Sequence, residues 1–281
     1  MIFIRSRMEQ SEYMSVLEQV KARRSVRTFN GIRLSREKLD EILKLAQSAE
    51  NPWHLPITWK ILDAKVQKLS CPVITGTDTY IGGKMKRMPH AEEAFGYAFE
   101  SVVLELAGQG LGTTWIGGTM DRKAFEKAMD LKDDEIMPCI SPLGTPAEKF
   151  SLRETLMRKG VKADIRLPQE ALFFRNDFDH PVSPEDPMHD VLELVRLAPS
   201  AVNRQPWRIV LRDDMAYFYE HHDKGYVDSA GSDMQKIDLG IAMYHFVKGI
   251  EESGKTVIFA EEDPGIVMPE HTEYIAGYRI V

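Results

Sequence analysis

The hydrophobic positions of this chain repeat at helical spacing in two places that read alike. In LDEILKLAQSAEN (residues 39–51), Leu39, Ile42, Leu43 and Ala46 fall at i, i+3, i+4 and i+7. In VLELVRLAPSAVN (residues 191–203), Val191, Leu194, Val195 and Ala198 do the same. Each set shares one helical face, so each segment predicts an amphipathic helix packed on a core. Ser35 suits the N-cap of the first helix and Pro187 the first turn of the second. A longer correspondence joins FGYAFESVVLELAGQGLGTTWIGG (residues 95–118) to LGIAMYHFVKGIEESGKTVIFAEE (residues 239–262). The interval from Gly96 to Gly110 equals that from Gly240 to Gly254. Both predict a long helix closed by a glycine beyond its C-terminus, then a short strand, TTWIG or TVIFA. Between these landmarks TWKILD and PVITG in the first half, and WRIVL and AYFYEH in the second, read as strands. Each half is therefore helix, strand, strand, long helix, strand.

That order predicts an α+β fold built from a duplicated module, with antiparallel-rich sheets flanked by helices. Residues 158–187, charged and rich in Pro and Asp, read as the crossover, which places the first module at residues 1–160 and the second at 161–281.

Composition narrows the function classes. The 281 residues are 43% hydrophobic and 28% charged, the balance of a globular protein with a proper core. The formal charge of −7 gives no electrostatic case for a nucleic-acid partner. Cys71 and Cys139 form neither a metal-ligand pattern nor a disulfide framework. The opening MIFIRSRMEQ is too briefly apolar for a signal peptide, and no run approaches the ~20 apolar residues of a membrane span. A cytoplasmic protein with a small-molecule substrate is the expectation.

Three stretches carry candidate chemistry. RRSVRTF (residues 23–29) clusters Arg23, Arg24, Ser25 and Arg27, a set suited to a phosphate: guanidinium forks for oxygen pairs and a hydroxyl beside them. A solvated basic helix end would look similar. APSAVNRQPW places Pro199 and Ser200 where the second amphipathic helix should end, with Asn203 bringing a two-sided amide to the turn. GLGTTWIGG is not a dinucleotide fingerprint, because a helix precedes its glycines and the third falls at Trp115. Gly117 and Gly118 at a strand end do permit a flat ligand to approach backbone N–H groups. The basic GGKMKRMPH (residues 82–90) reads as a solvated loop that could instead cover such a ligand. Adjacent His221 and His222 point apart on a strand, and no metal-ligand spacing exists. Trp59 and Trp207, at equivalent strand starts, fill the core.

Together these stretches resemble the nitroreductase family of FMN flavoproteins, in its branch with both modules on one chain. RRSVRTF resembles the family's phosphate grip, GTTWIGG its ring-contact strand, and APSAVNRQPW the segment that reaches the flavin from the partner subunit in two-chain members. SPLGTPAEKFSLR (residues 141–153) resembles its second phosphate contact, and DLGIAMYHF (residues 238–246) a stretch of the joined-module branch. The resemblance implies a nitroreductase-like fold forming an intrachain pseudo-dimer, compatible with a monomer. It implies one FMN per chain and NAD(P)H as transient electron donor, with turnover on a nitroarene or quinone. By position, Arg23, Arg24 and Ser25 hold the phosphate with Arg153 and Lys149. Arg27 lies nearer the ribityl chain, backbone of Ile116, Gly117 and Gly118 meets the ring edge, and Pro199, Ser200, Ala201 and Asn203 close from the other module. Ala201 stands where a second serine is more frequent. The reciprocal site reads as dismantled: Arg175 is the only base in LFFRNDFD, and Gln47 and Glu50 spoil AQSAENPWHL. No side-chain acid, base or nucleophile is expected. A flavin carrier without turnover, or a scaffold that has lost its cofactor, are the alternatives.

Overall fold

The computed structural model describes residues 14–149, 151–163, 165–227 and 232–281; the opening segment weighed above as a leader lies outside them. The first half contributes α1 (Val16–Ala22), α2 (Arg36–Gln47), β1 (Thr58–Asp63), α3 (Ala64–Gln67), β2 (Thr79–Lys86), α4 (Ala91–Gly108), α5 (Arg122–Ala128), β3 (Glu135–Ile136), β4 (Ile140–Pro142) and α6 (Leu152–Gly160). The second contributes β5 (Phe173–Arg175), α7 (His189–Arg196), β6 (Trp207–Arg212), β7 (Met215–His221), α8 (Met234–Glu252), β8 (Val257–Ala260) and β9 (Thr272–Ile280). One sheet runs β1-β2-β3 with β4 also on β2, all antiparallel; the other runs β5-β6-β7-β9-β8, antiparallel except for β5 beside β6. This is the expected α+β architecture. No helix among the described residues is long and apolar enough to cross a membrane.

The amphipathic helices form where their spacing predicts. Ser35 accepts the Lys38 N–H as the N-cap of α2. Pro187 falls outside the expected first turn, two residues before His189 and just ahead of Met188, which caps α7. Gly110 and Gly254 follow α4 and α8 with φ of +74° and +81°, the left-handed turn that ends each long helix.

Two strand expectations need correction. PVITG forms no strand; within it, Thr75 alone bridges Thr28. The second strand of the sheet is TYIGGKMK, so the basic stretch read as a loop starts inside β2. Its glycines serve packing and not a turn. A Cβ on Gly83 would stand 2.6 Å from Trp59 and 2.7 Å from Phe95, aromatic rings of the core. Lys84 keeps its charge beneath the surface by pairing with Glu135 at 2.8 Å.

The two long helices are buried nearly all round, which places them at the centre. Where they cross, the backbones touch. A Cβ on Gly96 would lie 2.1 Å from the Ile237 carbonyl oxygen, and one on Gly240 would lie 1.9 Å from that of Glu93. Each glycine thus sits against the carbonyl about one turn before the other, one contact made twice as across a twofold axis. On either side lies a separate apolar core, one around Phe95 and Trp59 and one around Phe246 and Trp207; Trp53 and Trp115 border both.

Gly240→Ala places a methyl inside a backbone oxygen and forces the helices apart. It should lower stability by roughly 3 kcal/mol, the upper range for overpacking, read as the urea midpoint at unchanged m-value; an unaltered midpoint would contradict the close crossing.

Candidate functional site

The arginine segment is positioned by what surrounds it. Helix α1 starts with a reciprocal capping box between Ser15 and Glu18, and Val20 buries beside Leu104 and Leu194. Arg23 is the C-cap, with extended backbone. The chain then runs as a β-bridged edge: Val26 N–H donates to Thr113 O at 2.8 Å, and Phe29 N–H to Thr75 O at 2.9 Å. Val26 and Phe29 are buried, against the open faces of Gly112 and Gly144, where a Cβ would lie 2.9 Å from each side chain. Alternation about Val26 turns its neighbours Ser25 and Arg27 to the other side, while Phe29, three residues on, is buried outside that alternation.

The guanidinium groups are under electrostatic load. Burial holds Arg23 below the ordinary arginine range, offset by Glu100 and aggravated by Arg158. Arg27 is lowered for the same first reason, with Glu154 opposing and Arg158 adding. The Nε groups of both arginines are enclosed and have no hydrogen-bond acceptor. An enclosed guanidinium N–H without an acceptor costs about 1–3 kcal/mol, so the cluster as folded is incomplete. Arg153 extends from α6 to the Pro72 carbonyl at 2.6 Å.

The ring-contact stretch, expected as a strand, forms isolated bridges to residues 140–144 in place of a regular strand. Gly112 N–H reaches Gly144 O at 2.8 Å, Thr114 N–H the Ser141 Oγ at 3.0 Å, and Ile116 exchanges bonds with Ile140 at 2.9 and 3.0 Å. Gly117 and Gly118 then line a cleft of about 300 Å³ together with Arg87, Arg122, Pro138, Tyr226 and Met234. A Cβ at Gly117 would stand 2.9 Å from Met234 Sδ, whereas Gly118 meets nothing within 4 Å. Residues early and late in the chain thus wall one cleft.

Arg122 is a site residue that motif reading missed. It donates to Gly117 O at 2.5 Å and to Met137 O at 2.9 Å, fixing the strand end. A signal existed: a cation in the first turn of α5 opposes the helix dipole and calls for another reason to be there.

The turn after α7 is strained. Val202, Asn203 and Gln205 take φ of +50°, +59° and +54°, which for a β-branched valine costs about 1–3 kcal/mol. Side chains hold it. The buried Asp238 carboxylate on α8 accepts the Ala201 N–H with both oxygens, at 3.1 and 3.0 Å. Ser200 Oγ accepts the Gln205 N–H at 2.9 Å. The Asn203 amide donates to Lys162 O and Ile165 O, and its oxygen accepts from Arg166 at 2.9 Å. Burial pushes the Asp238 carboxyl well above its usual range, opposed by the Ala201 N–H.

The arginine segment and this turn are joined through the interior. Val20 shares one apolar cluster with Leu194 and Leu197, at the ends of α1 and α7. His245 on α8 bridges Leu194 O and Glu100 Oε1, at 2.9 Å each, and Glu100 is the counter-charge of Arg23. On the outside, α6 and the residues after it span both, from the Glu154 contact with Arg27 N–H at 3.3 Å to the Asn203 contacts.

Known proteins supply the wider frame. The family described as "Putative TM nitroreductase" matches residues 15–250. The chain belongs to this nitroreductase family. A crystal structure of a "putative nitroreductase" from Thermotoga maritima shares 23% identity and a TM-score of 0.60, covering 95% of this chain and 94% of that one. An FMN-dependent nitroreductase from Clostridium difficile R20291 aligns at 21% identity and TM-score 0.41 over 48% of this chain and 90% of its own. A mutant of the FMN and NADPH-dependent nitroreductase NfnB from sphigopyxis sp. strain HMH aligns at 18% and 0.41 over 48% and 90%. No curated protein matches the chain significantly.

For this nitroreductase-family chain, Asp238→Ala strands the buried Ala201 N–H and frees a strained turn. Stability should fall by about 1–3 kcal/mol, with faster amide exchange confined to residues 199–205; uniform exchange and unchanged stability would overturn the role given to Asp238.

Proposed function

We propose that this protein is an FMN-dependent NAD(P)H oxidoreductase that holds one flavin per chain at the seam of two fused modules. The observation that carries the reading is the arginine cluster. Two enclosed guanidinium N–H groups lack acceptors, and burial lowers both arginines, countered by Glu100 and Glu154 with a smaller repulsion from Arg158. A phosphate monoester supplies negative charge and several acceptor oxygens, so the residues present fit the group.

In this reading Arg23, Arg24 and Ser25 hold the phosphate. Arg153 and Lys149 approach from the start of α6, and the Arg153 fork has donors beyond the one given to Pro72. Arg27, further along the extended segment, lies toward the ribityl chain. Ile116, Gly117 and Gly118 present backbone to the ring edge, and Arg122 keeps that edge in place. Pro199, Ser200, Ala201 and Asn203 form the closing turn of the second module, with Asn203 acting by holding the turn's shape. A bound flavin would supply the redox chemistry, that of a ping-pong reduction of a nitroarene or quinone with NAD(P)H as donor. The chain supplies position, charge and an open ring face, and no side chain is assigned proton transfer.

One site per chain is supported by what became of its counterpart. Arg175 is bonded bidentately to Asp186 at 2.7 and 2.8 Å. Asn51 spends its amide on Leu55, accepting at 3.0 Å and donating at 2.8 Å. The reciprocal glycine contact at the helix crossing supports reading the halves as copies of one module, 1–160 and 161–281.

Two measurements test this. Arg27→Ala should weaken FMN binding at least tenfold, ~1.4 kcal/mol, in a flavin fluorescence titration; equal affinity would contradict the phosphate assignment. Mixing the flavin-loaded protein anaerobically with NADH or NADPH should bleach the flavin absorption, and an added quinone should restore it. Absence of bleaching with both would leave a flavin carrier without turnover.

A further inference from the structure

The end of β7 meets the N-terminus of α8 around a buried carboxylate whose oxygens receive no hydrogen bond. Glu220 is fully buried, and neither of its oxygens receives a hydrogen bond. Buried carboxylates are ordinarily satisfied by donors, paired cations or metal ions. Burial, with Asp233 beside it, pushes the Glu220 carboxyl up to about 9. His222 lies two positions along, on the same side of the extended chain. Its Nδ1 stands 3.0 Å from Glu220 Oε1 and 3.9 Å from Asp233 Oδ2.

We propose that Glu220, His222 and Asp233 bind a divalent first-row transition metal ion, with Zn2+ the fitting probe. Three observations converge. The three donor atoms all lie within 4.8 Å of one another. Ligands bonded at 2.0–2.2 Å in a tetrahedron stand roughly 3.3–3.6 Å apart, and the two distances from His222 bracket that value. The far side of the ring is also provided for: Nε2 faces Glu273 Oε2 at 3.2 Å. A carboxylate there would take the Nε2 proton and leave Nδ1 as the ligand, the usual support for a metal-bound histidine. Asp233 is likewise divided, Oδ1 accepting the Gln235 N–H at 2.8 Å and Oδ2 turning to His222.

The charge balance favours a cation. Glu93 and Glu273 add to the field at Glu220, and Lys236 is the cation opposing them. Lys236 is itself 3.3 Å from Glu273 Oε1. An imidazole among carboxylates selects zinc-like ions over Mg2+ or Ca2+, which prefer oxygen alone. The residues between His222 and Asp233 include Tyr226 and Val227, which wall the cleft. A metal here would tie both ends of that wall to the second sheet, a structural role distinct from the flavin contacts. Sequence spacing hid the site because Glu-x-His uses strand periodicity and the third ligand arrives from beyond a loop.

The test is metal content and affinity on the full chain, with and without FMN. After chelator treatment and Zn2+ titration by calorimetry, one equivalent should bind per chain with micromolar or tighter affinity, while Mg2+ gives no heat. Glu220→Gln and His222→Ala should each weaken Zn2+ at least hundredfold. Glu220→Gln, which puts a neutral amide of the same shape in place of the buried carboxyl, should melt no lower than the metal-free parent. Failure of the parent to bind Zn2+ overturns the proposal, even if a variant does not fold. Undiminished binding by either folded variant, judged by near-UV circular dichroism, overturns it too. FMN affinity is read separately, so loss of one site does not mimic loss of the other.

Discussion

The contact on which the rest of this structure depends is the crossing of α4 and α8 at Gly96 and Gly240. Each glycine lets the opposite backbone approach to a distance no side chain would permit. These two helices also carry the contacts that shape the candidate site. Met234 and Ile237 reach the cleft at the strand end of Gly117. Asp238 holds the turn at Ala201, and Glu100 and His245 tie the arginine segment to the end of α7. Moving the helices apart would shift all of these at once, because packed interiors have few voids to absorb displacement.

Around that crossing the two halves have been put to different uses. The early half holds a crowded group of arginines in which the enclosed Nε groups of Arg23 and Arg27 meet no acceptor. In the later half the corresponding arginine is closed on Asp186. Strain is divided in the same way. The turn near Val202 is held in an unfavourable conformation by Asp238 and by the segment after α6.

Much of this was legible in the sequence. Helical spacing located α2 and α7, and the terminal glycines located the ends of the long helices, because amphipathic burial and left-handed caps leave local marks. What failed was whatever tertiary contact decides. Gly82 and Gly83 read as loop since glycine usually does, yet in β2 Gly83 lies under the rings of Trp59 and Phe95 and Gly82 against Met129. Asn203 reads as a ligand contact, while its amide is committed to residues 162–166, a partner far off in sequence. Arg122 carries no motif at all. Its role comes from carbonyls that two separate loops bring together.

The central claim is that one flavin sits where the two halves meet. Equilibrating the purified chain with excess FMN, removing the unbound flavin and comparing absorbance near 450 nm with protein concentration tests it most directly. The account predicts one flavin per chain. A colourless protein, or two flavins per chain, would contradict it.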